Sequence, residues 1–374
     1  MLAAVVDFRH EQVFDQATTY TCLLFLSREP RHSLEYTVAS PPAIIGEDGP
    51  RRFSVDAATL SDAPWVFVPR GFRDLMDKVR NCGTRLLDLP SAMSRGSSTG
   101  NDDVFMLRAP ARGYETREGT HVEIERGILR IPIYATDFGR YRFNPRRRER
   151  VIFPYVVAAD GYRELEEREF LDKFPKAYAY LKSRRAELVR RKQYRSWFAF
   201  SAPRNLDLHD HAQLMVPLLA SVGSYCALPD RMSRYCPMAS GGFTISISQS
   251  QPASPLYALG LLNSKLLYWY LQRISNVFRG GWITCTKQYV GTLPMRPIDF
   301  SNRADRARRD RMVDLAETML ALHKKLSAAR TADDKTALQR QIDATDRQID
   351  QLVYELYGLT DEEIKIVEEA SQQP

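Results

Sequence analysis

Short apolar runs separated by polar connections fill the first 300 residues, and a long periodic stripe fills residues 301–374. Residues 2–8 (LAAVVDF) and 21–26 (TCLLFL) read as two short buried strands. Two strands and a connection cannot stand as a domain, so they predict the edge of a sheet completed elsewhere. Residues 28–64 are polar and proline-rich and predict a linker with some strand character. A short helix is expected over residues 72–79, stopped near Gly83. The run SRGSSTGNDD at 94–103 has loop composition, and residues 121–160 carry β-like runs around an arginine cluster. Helix is expected over 164–193 and 256–273, with strands over 213–248, where GGFTISIS alternates at the β period.

The last segment carries the strongest period. Met312, Leu315, Met319, Leu322 and Leu326 recur every three or four residues, as do Leu338, Ile342, Thr345, Ile349, Leu352 and Leu356. Thr331-Ala332-Asp333-Asp334 interrupts them with turn and capping residues, which predicts an antiparallel helical hairpin.

Charge adds a direction to this picture. The whole chain carries +7, from 53 Lys+Arg and 46 Asp+Glu. Residues 301–374 hold 12 basic and 15 acidic residues, net −3, so residues 1–300 hold 41 and 31, net +10. Arginine dominates the excess, which suits either a polyanion partner or a solvated basic surface. The cluster Arg140, Arg142, Arg146, Arg147, Arg148 and Arg150 is its densest part. Cys22, Cys82, Cys226, Cys236 and Cys285 are odd in number and widely spaced, which fits reduced thiols and a cytoplasmic location. No apolar run approaches the ~20 residues of a membrane span, and the N-terminus lacks the basic flank and cleavage site of a secretory signal.

Several chemistries find little support. His209-Asp210-His211 would place two imidazoles on one side of an extended strand, but it lacks a third ligand and no CxxC occurs. Gly96-Ser97-Ser98-Thr99-Gly100-Asn101 is not a P-loop. Its match to Gly-x-Ser-x-Gly lacks the strand and helix that a nucleophile elbow needs. Such a loop can offer Thr99 and Asn101 to a phosphate or serve simply as a turn. A dinucleotide Gly-x-Gly-x-x-Gly is absent.

Segment 260–297 is the most informative. A buried helix is followed by Arg279-Gly280-Gly281-Trp282 and then by Lys287, Gln288 and Tyr289. Guanidinium, indole, ammonium and amide groups so interleaved suit phosphate anchoring and base-edge reading. A packed helix with a surface turn is the plainer alternative. Three stretches, Leu262-Asn263-Ser264-Lys265-Leu266, Phe278-Arg279-Gly280-Gly281-Trp282 and Thr286-Lys287-Gln288-Tyr289, closely resemble the C-terminal specificity domain of TaqI-like adenine DNA methyltransferases. The same segment type occurs in type IIG restriction-modification enzymes and in the large methyltransferases of phage-defence systems. Arg95 through Phe105, Ile124 through Leu129, Arg150 through Tyr155, Tyr180-Leu181 and the tail 349–359 resemble further stretches of that family, in its order. Residues 13–21 resemble its late methyltransferase strands, and that match makes Phe14 a candidate for stacking on a flipped-out target base; a core Phe beside a strand is the alternative.

One departure matters. The only Pro-Pro, Ser40-Pro41-Pro42-Ala43, lacks the aromatic of the family's catalytic motif and follows the late strands instead of preceding them. It reads as linker. The resemblance therefore implies an α+β chain with three parts. Residues 1–40 would be remnant strands of a methyltransferase sheet, 41–300 a target-recognition domain, and 301–374 the hairpin. The chain would bind double-stranded DNA and have no catalytic residues of its own. It would present adenine to a core that holds S-adenosyl-methionine, supplied by a methyltransferase or restriction subunit or by a missing half. Expected DNA contacts are Arg279, Trp282, Lys287, Gln288, Tyr289, Thr99, Asn101, Arg140, Arg142, Arg146, Arg147 and Arg148. A second reading is an assembly subunit that docks through the C-terminal helices. A third, a nuclease, would need Pro229-Asp230 and Glu363-Ile364-Lys365 to meet on strands.

Overall fold

The computed structural model describes residues 1–9, 11–16, 19–39, 51–60, 65–145, 148–159, 161–248, 254–278 and 281–372. The fold is α+β, with several small sheets and a helical C-terminus. Ser40-Pro41-Pro42-Ala43, Arg146, Arg147, Arg279 and Gly280 lie outside the described residues.

Four strands form the N-terminal sheet: β1 (Leu2–Asp7), β2 (Cys22–Leu26), β3 (Ser33–Val38) and β4 (Arg51–Asp56). Their spatial order is β2-β1-β3-β4, with β1 parallel to β3 and antiparallel to β2. The expected linker is thus partly sheet. Leu34 and Tyr36 on β3 alternate inward to meet Val55 of β4 and Val5 of β1, a period too short to stand out from its polar surroundings. The Tyr36 ring stacks on Phe67 at 4.8 Å, and its hydroxyl donates to Asp7. The second expected strand forms, but it is not buried. All five residues of β2 are exposed, with Leu26 at 78% and Leu24 at 58%, because no described layer covers either face and its outer edge is unpaired within the sheet.

Two larger cores follow. One lies around a six-stranded sheet and the helices Glu167–Lys173 and Pro175–Ser183, and gathers Phe105, Val151, Phe153, Phe170, Leu181 and Phe200. The other gathers Leu75, Ile245, Leu259, Leu266, Trp269, Met312, Ile349 and Leu352. The expected hairpin is present as Arg303–Ala328 and Ala332–Tyr357, and Thr331 accepts from the Asp334 amide as N-cap at 3.1 Å. Its stripe is spent on the second core. Met312 packs against Gly260, where a Cβ would collide with the Met312 thioether. A third helix, Asp361–Gln372, follows the left-handed cap Gly358 and closes on Lys265–Ile274. Among the described residues, no helix is long and apolar enough to cross a membrane.

Candidate nucleic-acid interface

The segment whose residue types suit base reading folds as two helices, a hairpin and a one-turn helix. Pro255–Asn263 and Lys265–Ile274 break at Ser264, whose hydroxyl caps the second helix by accepting from the Leu267 amide at 3.3 Å. Asn263 is fully buried. Its side chain accepts from the Tyr225 amide at 2.9 Å and donates to the Tyr225 carbonyl at 3.0 Å. Lys265 reaches Glu368 at 2.6 Å and Asp350 at 3.6 Å. These three side chains are engaged within the scaffold, Asn263 and Ser264 buried and Lys265 half-buried.

Beyond Ile274 the chain turns outward. Val277 bridges Ile283, and the Phe278 amide donates to the Trp282 carbonyl at 2.6 Å. Trp282 is 46% exposed, and Lys287 and Gln288 are exposed on the turn Lys287–Val290. Tyr289 is half-buried beside the main core. The ring of Tyr20 meets Phe278 edge-on at 6.0 Å, which ties the segment after Phe14 to this hairpin. Phe14 itself is 58% exposed, so it is not a core residue. The sequence pattern missed Tyr20, which sits beside the Thr18-Thr19 pair of the segment resembling late strands.

Arg273 lies among aromatic rings near the end of the second helix. Its guanidinium carbon stands 4.2 Å from the Trp269 ring and 5.1 Å from the Phe72 ring. It donates to the Trp269 carbonyl at 2.6 Å, which places positive charge at a helix C-terminus. Burial, reinforced by Arg9, pushes its pKa down to about 9.

The threonine-glycine loop has an internal role. Gly96 follows the strand Ser91–Arg95 and passes so near the Met238 carbonyl that any Cβ would collide with it. Gly100 has φ +78° and abuts Ser201. Thr99 is fully buried. Its hydroxyl donates to Asp102, and its carbonyl accepts from Arg191 at 2.7 Å. The Asn101 side chain caps Asp102–Phe105 by accepting from the Val104 amide.

The arginine cluster divides. Arg140 forms an ion pair with Asp346 of the hairpin. Arg142 lines a cavity of about 350 Å³ together with Tyr141, His323 and Lys324, while Arg148 is exposed. The structure therefore does not gather Thr99, Arg140 and Lys287 into one set of outward-pointing groups. Tyr141 is buried at φ +54°, and its amide donates to the Tyr225 carbonyl.

His209-Asp210-His211 is not an extended strand. Residues Leu206–Asp210 form a short helix. His209 is buried with Nδ1 2.8 Å from the Thr244 hydroxyl, and burial pushes its pKa down to about 4. Asp210 accepts from Tyr162 and Arg130. Among the described residues, no group of three or more His, Cys, Asp or Glu is placed to hold a metal. Glu363, the acid of the weak nuclease signature, pairs with Lys78 at 2.6 Å on the third C-terminal helix, not on a strand.

The fold is α+β, and its candidate segment exposes Trp282, Lys287 and Gln288. No family model matches the chain. The chain is similar to the type II restriction enzyme and methyltransferase RM.Eco57I of Escherichia coli, at 22% identity over 395 residues, covering 98% of this chain and 39% of that protein. The chain thus spans about two fifths of the length of that relative. The likeness relates it to restriction-modification proteins.

Proposed function

We propose that this chain is the DNA-reading part of an adenine-specific methyltransferase or restriction-modification assembly of the type IIG, TaqI-like kind. It grips duplex DNA through phosphates and passes the target adenine to a core carried by another chain or another part of the protein. That core holds the methyl donor, S-adenosyl-methionine. The observation that carries the reading is the Tyr20–Phe278 contact. It ties the chain segment that follows exposed Phe14, a ring suited to a flipped base, to the hairpin bearing exposed Trp282, whose neighbours suit base edges. The exposed apolar strand Cys22–Leu26 supports the second half of the reading, because a core packed there would cover its bare faces and pair its outer edge.

An electrophoretic shift of duplex DNA by the purified chain in low salt tests the grip, which weakens steeply as salt rises. A labelled methyl-donor assay on the same sample gives no transfer. Absence of any shift, or methyl transfer by the chain alone, refutes the reading. A hairpin deletion cannot separate DNA reading from assembly, since Met312, Met319 and Ile349 belong to the main core. Trp282→Ala, at an exposed ring, makes the cleaner test.

A further inference from the structure

The six-stranded sheet carries a cavity of about 450 Å³ that the sequence gives no hint of. Arg126, Arg150 and Arg234 line it with Tyr114, Leu129 and the turn 109–113. These arginines are 24 and 84 residues apart. Sheet register brings them together. Arg126 opens the turn Arg126–Ile128, which feeds the strand Leu129–Ile133. Arg234 closes the turn Met232–Arg234, which feeds Tyr235–Pro237, the parallel neighbour that pairs Ile131 with Tyr235. Arg150 lies on Glu149–Ile152, the antiparallel neighbour that pairs Leu129 with Ile152. Two turns that start adjacent parallel strands must lie at the same end of the sheet.

No carboxylate lines the cavity among the described residues. The nearby acids have other work. Glu125 accepts from the Lys176 and Ala177 amides at 2.8 and 3.0 Å, at the start of the helix Pro175–Ser183. Asp210 serves Arg130 and Tyr162, and Glu123 pairs with Lys176. Glu149 precedes Arg150 on its strand and so points to the opposite face. Arg126 and Arg234 are exposed and form no ion pair among the described residues. Among the described residues, the guanidinium of Arg150 donates only to the Glu149 carbonyl, at 2.7 Å. Three like charges that converge on a cavity without a counter-charge repel one another, and an anion removes that cost. Guanidinium forks match tetrahedral oxyanions in geometry as well as in charge.

We infer that this cavity is a phosphate-binding site, and that its occupant is a phosphodiester of a DNA backbone lying across the sheet. The choice of DNA as the phosphate source rests on the proposed function; the phosphate site itself rests on the cavity alone.

The test compares the full chain with the triple variant Arg126→Gln/Arg150→Gln/Arg234→Gln. Anisotropy of a labelled duplex is read from about 50 to about 200 mM salt, and inorganic phosphate is titrated calorimetrically. A triple Arg→Lys variant retains the charge and controls for folding. Losing the one backbone phosphate this cavity neutralises should lower the salt slope by about 0.9 and the affinity at about 0.1 M salt by about eightfold. The lysine variant should keep most of both. Such a decrease supports the site and its DNA source. Unchanged duplex binding, with phosphate binding abolished only in the glutamine variant, keeps the site and assigns it a free phosphate instead. If the parent chain does not bind duplex at all, the proposed function fails, and the phosphate titration alone decides the site. No change in either measurement overturns the inference, as does a parent chain that binds neither duplex nor phosphate.

Discussion

Asn263 offers the sharpest test of whether the motif residues build scaffold or touch a ligand. Its amide is fully buried and bridges both backbone groups of Tyr225. Replacing it with Ala removes the acceptor for the Tyr225 N–H, and no other partner for that group is present among the described residues. The Tyr225 carbonyl keeps its bond from the Tyr141 amide at 2.9 Å. One orphaned buried donor costs about 1–3 kcal/mol, and removing one bond to a still-paired carbonyl about 1 kcal/mol. The sum is about 2–4 kcal/mol, before any cavity term. Asn263→Asp keeps the acceptor but buries a carboxylate, so it should be at least as damaging at neutral pH and recover on acidification. Urea unfolding followed by tryptophan fluorescence reads the effect, since Trp269 lies in the same core. A destabilisation below about 1 kcal/mol would refute the scaffold role. So would loss of DNA binding in a variant of unchanged stability, which would make Asn263 a DNA contact.

Three further outcomes follow from the same geometry. Leu24→Lys and Phe25→Lys on the exposed strand should leave stability in urea unfolding within about 0.5 kcal/mol; marked unfolding would mean the strand is covered in solution. Arg140→Ala should cost about 1 kcal/mol by releasing Asp346, without changing the salt slope of DNA binding; a lower slope would make it a phosphate contact. The acid limb of stability should reflect opposed groups. Burial holds His209 and His323 down to about 4, so their contribution, present above about 6.5, is lost as pH falls towards 4. Burial raises Asp350 to about 6, so its contribution is present below about 4 and lost as pH rises through 6. Asp350→Asn removes the opposing gain, and urea midpoints between about pH 4 and 6.5 should fall more steeply on acidification. A shallower limb would contradict these assignments.

The C-terminal helices are legible in the sequence because their information is local. A three-four period with Thr331 at its break needs no distant partner to be read. The strands at Ser33–Val38 and Arg51–Asp56 are not legible as a pair, because each has only two or three inward residues and polar, proline-rich chain lies between them. The strand expectation misplaces His209 for a related reason. Alternating His, Asp and His fits a β period, but Leu206 and His209 are spaced for one turn of helix, both are buried, and His209 meets Thr244. The candidate site divides in the same way. Contiguous groups such as Trp282, Lys287 and Gln288 can be named from their run, and all three are exposed. The arginine cavity cannot, because residues 126, 150 and 234 meet only through strand register.

That division bears on what the likeness to RM.Eco57I means at the level of residues. Several positions that carry the family resemblance are buried or conformationally obligatory. Gly96 and Gly100 shape a turn, Thr99 and Asn101 close it, Asn263 clamps Tyr225, and Ser264 and Lys265 set a helix start. Substitutions there should act through stability, and a ligand should rescue them only by mass action on the folded state. The exposed groups behave otherwise. Phe14, Trp282, Lys287, Gln288, Arg126 and Arg234 have little packing to lose, so their removal should leave the unfolding transition in place. Any effect of theirs on DNA binding would then be a direct one. The two sets lie on the same chain but on different helices and turns. Resemblance alone therefore marks positions that build the scaffold, while exposure and unpaired charge mark the groups free to meet a ligand.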